Sequence, residues 1–496
     1  MVRRSLTDMP PEILFEILTF LDAKTMILCS SVSRAWHATV NGSSGLQYAI
    51  QLWVDGLVAG DMGALTPTDT LHALHERRRA WYSLQWTSRT VIEAESLNTS
   101  RAYELVGGIL AQQELRSDFC TISLAHIMDI DRAKTKHPIG IDLDDFQDFA
   151  LDPSQNLLVV LYQPANEWAR LECRTLSSHQ AHPLAPAALF SFPLDRDPAL
   201  ALSIQIADDV IALSFPDNNR LIILNWREGI TLIDSSGIQS PLYVADFEFL
   251  SPRSYVLAFP SESGRIEIHM FEGGRADATT HVATLWLPAL VDDRFITSLG
   301  IYSGPFCARP MPGRPYTTSN ERRIYMFSMN YNNLEWSRLF VHYRTLQKYV
   351  SDYVIEERTD PLDVPWNGWG PNNSRLMRGN DFRWLRHVHG ERVVLPISPN
   401  RIQLLDFGVA PDRPDTVNPP QVPGVVVHLQ LEPTPFSESE NPADEIFEDE
   451  VITSLPFRST LRSMGEFDVF LIDQDHIIGA NKTIASARDR TTIFRF

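Results

Sequence analysis

Residues 9–36 read MPPEILFEILTFLDAKTMILCSSVSRAW, and their spacing decides how the chain begins. Ile13, Leu14, Ile17, Leu18 and Leu21 recur at i, i+1, i+4, i+5 and i+8, which gathers them on one face of a helix. Pro10 and Pro11 can open that helix, because its first backbone N–H groups have no intrahelical acceptor to lose. Asp22 interrupts the pattern and predicts an N-cap for a second short helix through Met26 and Ile27. Val32, Trp36 and Val40 then recur every four residues until Asn41-Gly42 stops the run. Farther out, Leu46, Ile50, Trp53 and Leu57 make another helical stripe, and Leu71, Leu74, Trp81 and Tyr82 mark a last one between Thr68 and Trp86. The first hundred residues are therefore expected to be mostly helical.

Beyond Tyr103 the pattern changes to short runs of β-branched, leucine and aromatic residues broken by Asp, Asn, Gly and Pro, which predicts strands and turns. A faint repeat runs through it. Val210-Ile211-Ala212-Leu213 and Leu221-Ile222-Ile223-Leu224 are echoed 45 residues later by Tyr255-Val256-Leu257-Ala258 and Ile266-Glu267-Ile268-His269. Looser copies stand at Asn156–Val160 and Asp475–Gly479. Units of about 40–50 residues holding several short strands are written like propeller blades, and residues 103–496 would hold about seven or eight, or six with long connections. The expected architecture is α+β and multidomain: a three-helix module over 1–48, a helical linker over 49–100, and an all-β domain over 101–496, a six- to eight-bladed, WD-repeat-like β-propeller. Arg309–Ser319, reading RPMPGRPYTTS, and the stretch from about 408 to 450 are expected to be surface loops or disorder.

Composition narrows the functional classes. The chain has 496 residues, 44% of them hydrophobic, enough for sizeable cores and more than one domain. Its net charge of −19 repels phosphate backbones and anionic lipid, so neither nucleic acid nor a membrane is expected as a partner. Part of that charge is local: residues 431–451 hold eight Asp and Glu and no Lys or Arg. Cys29, Cys120, Cys173 and Cys307 form no CxxC pair, which argues against a structural zinc knuckle or a redox motif and fits a reducing compartment, cytoplasm or nucleus.

The opening helices carry a resemblance. Met9-Pro10-Pro11-Glu12-Ile13-Leu14, Ile17-Leu18, Leu21-Asp22, Cys29, Val32-Ser33-Arg34 and Trp36 together resemble an F-box, with Met9 where Leu is commoner. Leu46-Gln47-Tyr48, Gly56, Gly60 and the run Glu76–Trp81, followed by a β-rich region with Leu224-Asn225-Trp226, are similar to a fungal, basidiomycete-type group of F-box proteins. The resemblance implies an SCF-type ubiquitin-ligase receptor. Its helices would dock the S-phase-kinase-associated adaptor, and through it a cullin, while its β domain would hold a client protein. The adaptor contacts it implies are Met9, Pro10, Glu12, Ile13, Leu14, Ile17, Leu18, Leu21, Val32 and Trp36, although some of these residues must also serve the module's own core. Trp36 has both readings open. The Arg77–Arg79 triplet is expected on a solvated helix face.

No catalytic pattern stands out: GxSxG, HExxH, GxxxxGK[ST] and GxGxxG are all missing. The pairs His72/His75 and His387/His389 lack a third ligand at a recognisable spacing, so they are expected at the surface and no metal or cofactor is assigned. Asp208-Asp209 and similar acid pairs are expected to cap turns. Pro365–Pro371, reading PWNGWGP, places Trp366 and Trp369 in an apparent loop with Trp384 nearby. These three are either anchors for a client or plugs between blades. Two rival functions are an interaction scaffold outside the ligase and a hydrolase working in a propeller channel.

Overall fold

A computed structural model describes residues 9–94, 102–116, 119–127, 137–141, 146–163, 168–187, 189–193, 203–215, 219–235, 244–260, 263–274, 279–311, 313–333, 335–380, 386–398, 400–409, 422–436, 445–467, 469–480 and 489–496. The chain opens with helices α1 (Pro11–Thr19), α2 (Ala23–Ser30), α3 (Arg34–Gly42), α4 (Ser44–Val54) and α5 (Pro67–Tyr82). Their starts follow from capping chemistry. Asp22 accepts the Thr25 N–H at 2.9 Å to cap α2, and Ser33 accepts the Trp36 N–H at 3.3 Å to cap α3. Thr66 and Asp69 form a reciprocal capping box ahead of α5. Leu14, Leu18, Met26, Trp36, Val40 and Leu46 fill the small core that α1 to α4 enclose.

The β region is a seven-bladed propeller. Blades one to three are four-stranded antiparallel meanders in sequence order: Tyr103–Val106 to His137–Ile141, Phe146–Asp152 to Leu189–Pro193, and Ser203–Ala207 to Ile230–Asp234. Blade four runs from Asp246–Ser251 to Thr280–Trp286 and gains Leu362–Val364 as a parallel edge strand. Blade five comprises Ile296–Tyr302, Ile324–Tyr331, Glu335–His342 and Ser374–Gly379, and blade six comprises Val388–His389, Arg392–Ser398, Arg401–Asp406, Phe457–Ser463 and Val425–Gln430. Blade seven is Val469–Ile472, His476–Ala480 and Asp489–Arg495, completed by Ser88–Ala94 from the other end of the chain.

Seven apolar cores, one between each neighbouring pair of blades, close the ring. Phe149 and Leu158 meet Val106 and Leu124 between blades one and two, and Leu105 and Leu110 meet Leu471 and Ile478 between blades one and seven. A strand pressed from both faces is largely apolar without alternation, and Leu157–Tyr162, Val210–Phe215 and Ile324–Tyr331 are buried at every residue. The sequence echoes at 156–160, 210–213, 255–258 and 475–479 all fall on or next to the second strand of a blade.

Three expectations change. Ser88–Ala94, placed in the helical linker, is a propeller strand whose pairing (Ser88↔Arg495, Ala94↔Asp489) holds the ring shut, so the boundary near residue 100 falls after propeller structure has begun. Arg309–Ser319 is no free loop: Tyr316–Thr318 pairs with Leu57–Ala59, and Tyr48 Oη donates to the Pro315 carbonyl at 2.6 Å. In the acidic stretch, Ile446, Phe447 and Val451 are buried in the core between blades four and five, with Leu290 and Phe447 forming a bridge; residues 437–444 lie outside the described residues. The apolar residues of that segment dominate its placement, and its charges stay outward: Glu448, Asp449 and Glu450 are exposed.

Candidate functional site

The first candidate is the outer face of α1 and α2. Among the described residues, six of the twenty exposed large apolar side chains lie between residues 13 and 32: Ile13, Phe15, Phe20, Ile27, Leu28 and Val32. So dense an apolar surface on so short a segment marks a place that another surface covers. Phe20 is 86% exposed, Val32 72% and Leu28 59%. Pro10 and Glu12 are exposed too, and Met9, Ile17 and Leu21 are half-buried.

Leu14, Leu18 and Trp36 do not belong to that face. They are 1%, 0% and 8% exposed and pack in the core of the helical module, the second of the two readings open for Trp36. The reason lies in the spacing of α1. Leu14, Leu18 and Leu21 form one stripe and Ile13, Ile17 and Phe20 a second, about 100° around the helix. A small bundle buries one stripe and leaves the other. Phe15, Phe20, Ile27 and Leu28 join the exposed face without belonging to the contacts that the F-box resemblance implies, yet Phe20 continues the Ile13/Ile17 stripe at the next i+3 step.

The helices are locked to the propeller by buried charge. Arg77 and Arg78, expected on a solvated face, are 5% and 8% exposed; only Arg79 of the triplet is at the surface. Arg77 Nε donates to Asp475 Oδ1 at 2.9 Å, and Arg314 Nη1 reaches the other oxygen of Asp475 at 2.7 Å. Burial alone would raise the Asp475 carboxyl, but Arg77 and Arg314 outweigh it and hold the group below the usual carboxylate range. Arg78 Nε donates to Asp55 Oδ1 at 2.7 Å, tying α5 to the end of α4. Trp81 stacks on Phe496 with centroids 4.3 Å apart, inside the core between blades six and seven.

Trp366 and Trp369 are plugs. They sit on a short helix, Trp366–Asn373, at 9% and 1% exposure, and Trp369 Nε1 donates to the Trp286 carbonyl at 2.8 Å. Their rings pack edge to face at 5.3 Å within the core of blades four and five, so their role as client anchors is withdrawn. Trp384 lies outside the described residues.

The second candidate is the centre of the ring, where the first strands of five blades and the segment leading into blade six surround a cavity of about 230 Å³. Its lining is charged. Glu104 is held by a forked pair of bonds from Arg386, with Nη2 to Oε2 at 2.6 Å. Glu248 accepts from Ser303 Oγ and, at 2.9 Å, from Gln205 Nε2. Among the described residues, Asp148 accepts from the Phe149 N–H, and Asp246 from the Phe247 and Ile301 N–H groups. Burial pushes both Asp carboxyls up to about 7, against the pull of those backbone donors. His387, expected at the surface, is fully buried beside this cavity, and His389 Nε2 meets Thr318 Oγ1 at 3.0 Å. Asp208, with φ of 55°, does occupy the turn expected of it, paired with Arg227 at 2.9 Å.

Residues 6–47 match the F-box domain family. The chain therefore carries an F-box domain followed by a seven-bladed β-propeller. No curated protein matches it. Among solved structures it is similar to an uncharacterized protein from Listeria monocytogenes, at 8% identity and a TM-score of 0.35 over 64% of this chain and 79% of that one. A eukaryotic initiation factor gives 10%, 0.33, 62% and 63% in the same order, and apo AztD from Citrobacter koseri gives 9%, 0.34, 78% and 79%. Among the described residues no helix is long and apolar enough to cross a membrane.

Proposed function

We propose that the chain is a substrate receptor of an SCF-type ubiquitin ligase. One observation carries the proposal: the residues that match the F-box family are the ones that leave Ile13, Phe20, Leu28 and Val32 uncovered. An adaptor of the S-phase-kinase-associated type covers that face and brings a cullin with it. The propeller holds the client, and the chain contributes proximity, since tethering a client beside the transfer site raises its effective concentration without a reactive side chain here. Cytoplasm or nucleus, and kinship with the fungal F-box proteins, belong to the same proposal. The test is co-elution of the full chain with purified adaptor and then with adaptor–cullin. Failure to bind adaptor overturns the reading; adaptor without cullin favours a scaffold outside the ligase.

A second reading has one observation behind it. The charged central cavity is the kind of recess in which a propeller enzyme would work, with Asp148 or Asp246 poised to take or give a proton near neutral pH. Screening hydrolase substrates against the wild type and an Asp148→Asn, Asp246→Asn double variant tests it; turnover lost in the variant supports the enzyme, and no turnover by the wild type removes it.

A further inference from the structure

Blade four gathers two imidazoles and a carboxylate outside both sites described above. Glu267 and His269 alternate on the strand Arg265–Met270 and so share a face, while Ile266 and Ile268 point into the core. The neighbouring strand Thr280–Trp286 pairs His281 with His269 and Thr284 with Glu267. In a regular strand, residues 281 and 284 would lie on opposite faces. The register slips between Ile268 and His269, where Ala283 and then His281 are the partners, and this bulge brings His281 and Thr284 to one side. One ligand-type atom from each of Glu267, His269 and His281 then lies within 4.8 Å of the other two.

We propose that Glu267, His269 and His281 bind one divalent transition-metal ion of the Zn²⁺ class. Two imidazoles and one carboxylate are a donor set that Zn²⁺ accepts at about 2.0–2.2 Å per ligand, with the fourth position left to water. His269 Nε2 already stands 3.2 Å from Glu267 Oε2, a separation that suits two ligands of one tetrahedral ion. The supporting contacts are in place. His269 Nδ1 meets Thr279 Oγ1 at 3.1 Å, and that hydroxyl is held by Tyr255 Oη at 3.0 Å. His281 Nε2 meets Thr284 Oγ1 at 3.1 Å, so each ring has one nitrogen held by a threonine. The two rings are stacked, 16° apart with centroids at 4.9 Å, so ligation of one ion by both requires a side-chain rotation that lets their in-plane lone pairs converge; Tyr255 also stacks on His269. Arg265 Nε donates to Glu267 Oε1 at 2.9 Å, which orients Oε2 toward the histidines while placing a positive charge that weakens the site. All three ligands are partly exposed, so an ion has access from solvent.

The test is Zn²⁺ titration calorimetry on the tag-free full chain, with Co²⁺ as a visible-absorption reporter of tetrahedral N/O ligation. One equivalent is expected to bind. His281→Ala should abolish the Co²⁺ bands and weaken Zn²⁺ by roughly 100-fold or more, and Thr279→Val, which removes no ligand, by roughly 10-fold. If His281→Ala fails to fold, Glu267→Gln and Thr279→Val, checked by circular dichroism, carry the comparison. A wild type that binds no Zn²⁺, or affinity unchanged in folded variants, makes the cluster a hydrogen-bond network only and overturns the proposal.

Discussion

Arg77 of α5 and Asp475 of blade seven, 398 residues apart in the chain, are joined by a buried ion pair at 2.9 Å. Because Arg314 shares the same carboxylate, one acid holds together a helix, a blade and the segment that pairs with Leu57–Ala59. Asp475→Ala leaves the buried Arg77 and the half-buried Arg314 without it and is expected to destabilise the protein by about 3–5 kcal/mol, with Arg77→Met costing less because Arg314 stays. Urea unfolding measures both. The Asp475 carboxyl titrates below its unfolded value, so the stabilisation is present above about pH 4 and is lost as pH falls. Equal losses in the two variants would contradict the shared-carboxylate account.

The helical module separates binding from folding. Phe20→Glu with Leu28→Glu is expected to abolish adaptor co-elution while leaving the thermal transition unchanged, since both side chains are at the surface. Leu14→Ala should instead cost about 2–5 kcal/mol of stability, because it empties the module's core. Adaptor binding retained by the double glutamate variant would place the docking face elsewhere.

Gly60 lets two segments meet. Its N–H donates to the Pro315 carbonyl at 2.9 Å, and a Cβ there would lie 2.2 Å from the Arg314 oxygen. Gly60→Ala is expected to force Leu57–Ala59 away from Tyr316–Thr318 and to cost about 1–3 kcal/mol. Hydrogen exchange reads this as faster exchange of the amides in those two strands.

Trp369→Ala tests the plug. Loss of its ring and of its bond to Trp286 should lower stability by about 3–5 kcal/mol. Stability like that of the wild type would mean that the ring is not part of the core of blades four and five.

Asp148 reports on the central cavity. Its carboxyl is raised to about 7, so the folded state holds its proton more tightly than the unfolded chain does. That favours folding at low pH, and stability falls as pH rises from about 4 to about 7. Asp148→Asn keeps an acceptor for the Phe149 N–H and removes the titration, so it should flatten this part of the profile and stabilise the protein at pH 8 by about 1–2 kcal/mol. Denaturant melts from pH 4 to pH 8 measure it; an unchanged slope in the variant would deny the raised value.

Much of the architecture is legible one segment at a time. The apolar spacing of Ile13, Leu14, Ile17, Leu18 and Leu21, the Trp36/Val40 spacing, the Asp22 cap and the echo of 210–224 at 255–269 are local signals, and helices and strands stand where they indicate, although Val32 lies ahead of α3 and is exposed. The sites are less legible. The spacing of α1 shows that Ile13 and Leu14 are both apolar, but which stripe is covered depends on α3 and α4. PWNGWGP looks like an exposed loop because its turn formers are local, whereas the cavity that receives Trp369 is built by blade four about 80 residues earlier.

By itself the sequence determined an N-terminal F-box-like helical module, a β domain of repeated units of several short strands, and an acidic charge that one segment carries in part. Only the tertiary structure decided the number of blades, the closure of the ring by Ser88–Ala94, the burial of Arg77, and the meeting of Glu267, His269 and His281. The physical reason is the range of the forces involved. Backbone hydrogen bonding and side-chain periodicity act over a few residues and are written in order along the chain. Burial and ion pairing depend on surfaces brought together from hundreds of residues away, and no spacing in the chain records them.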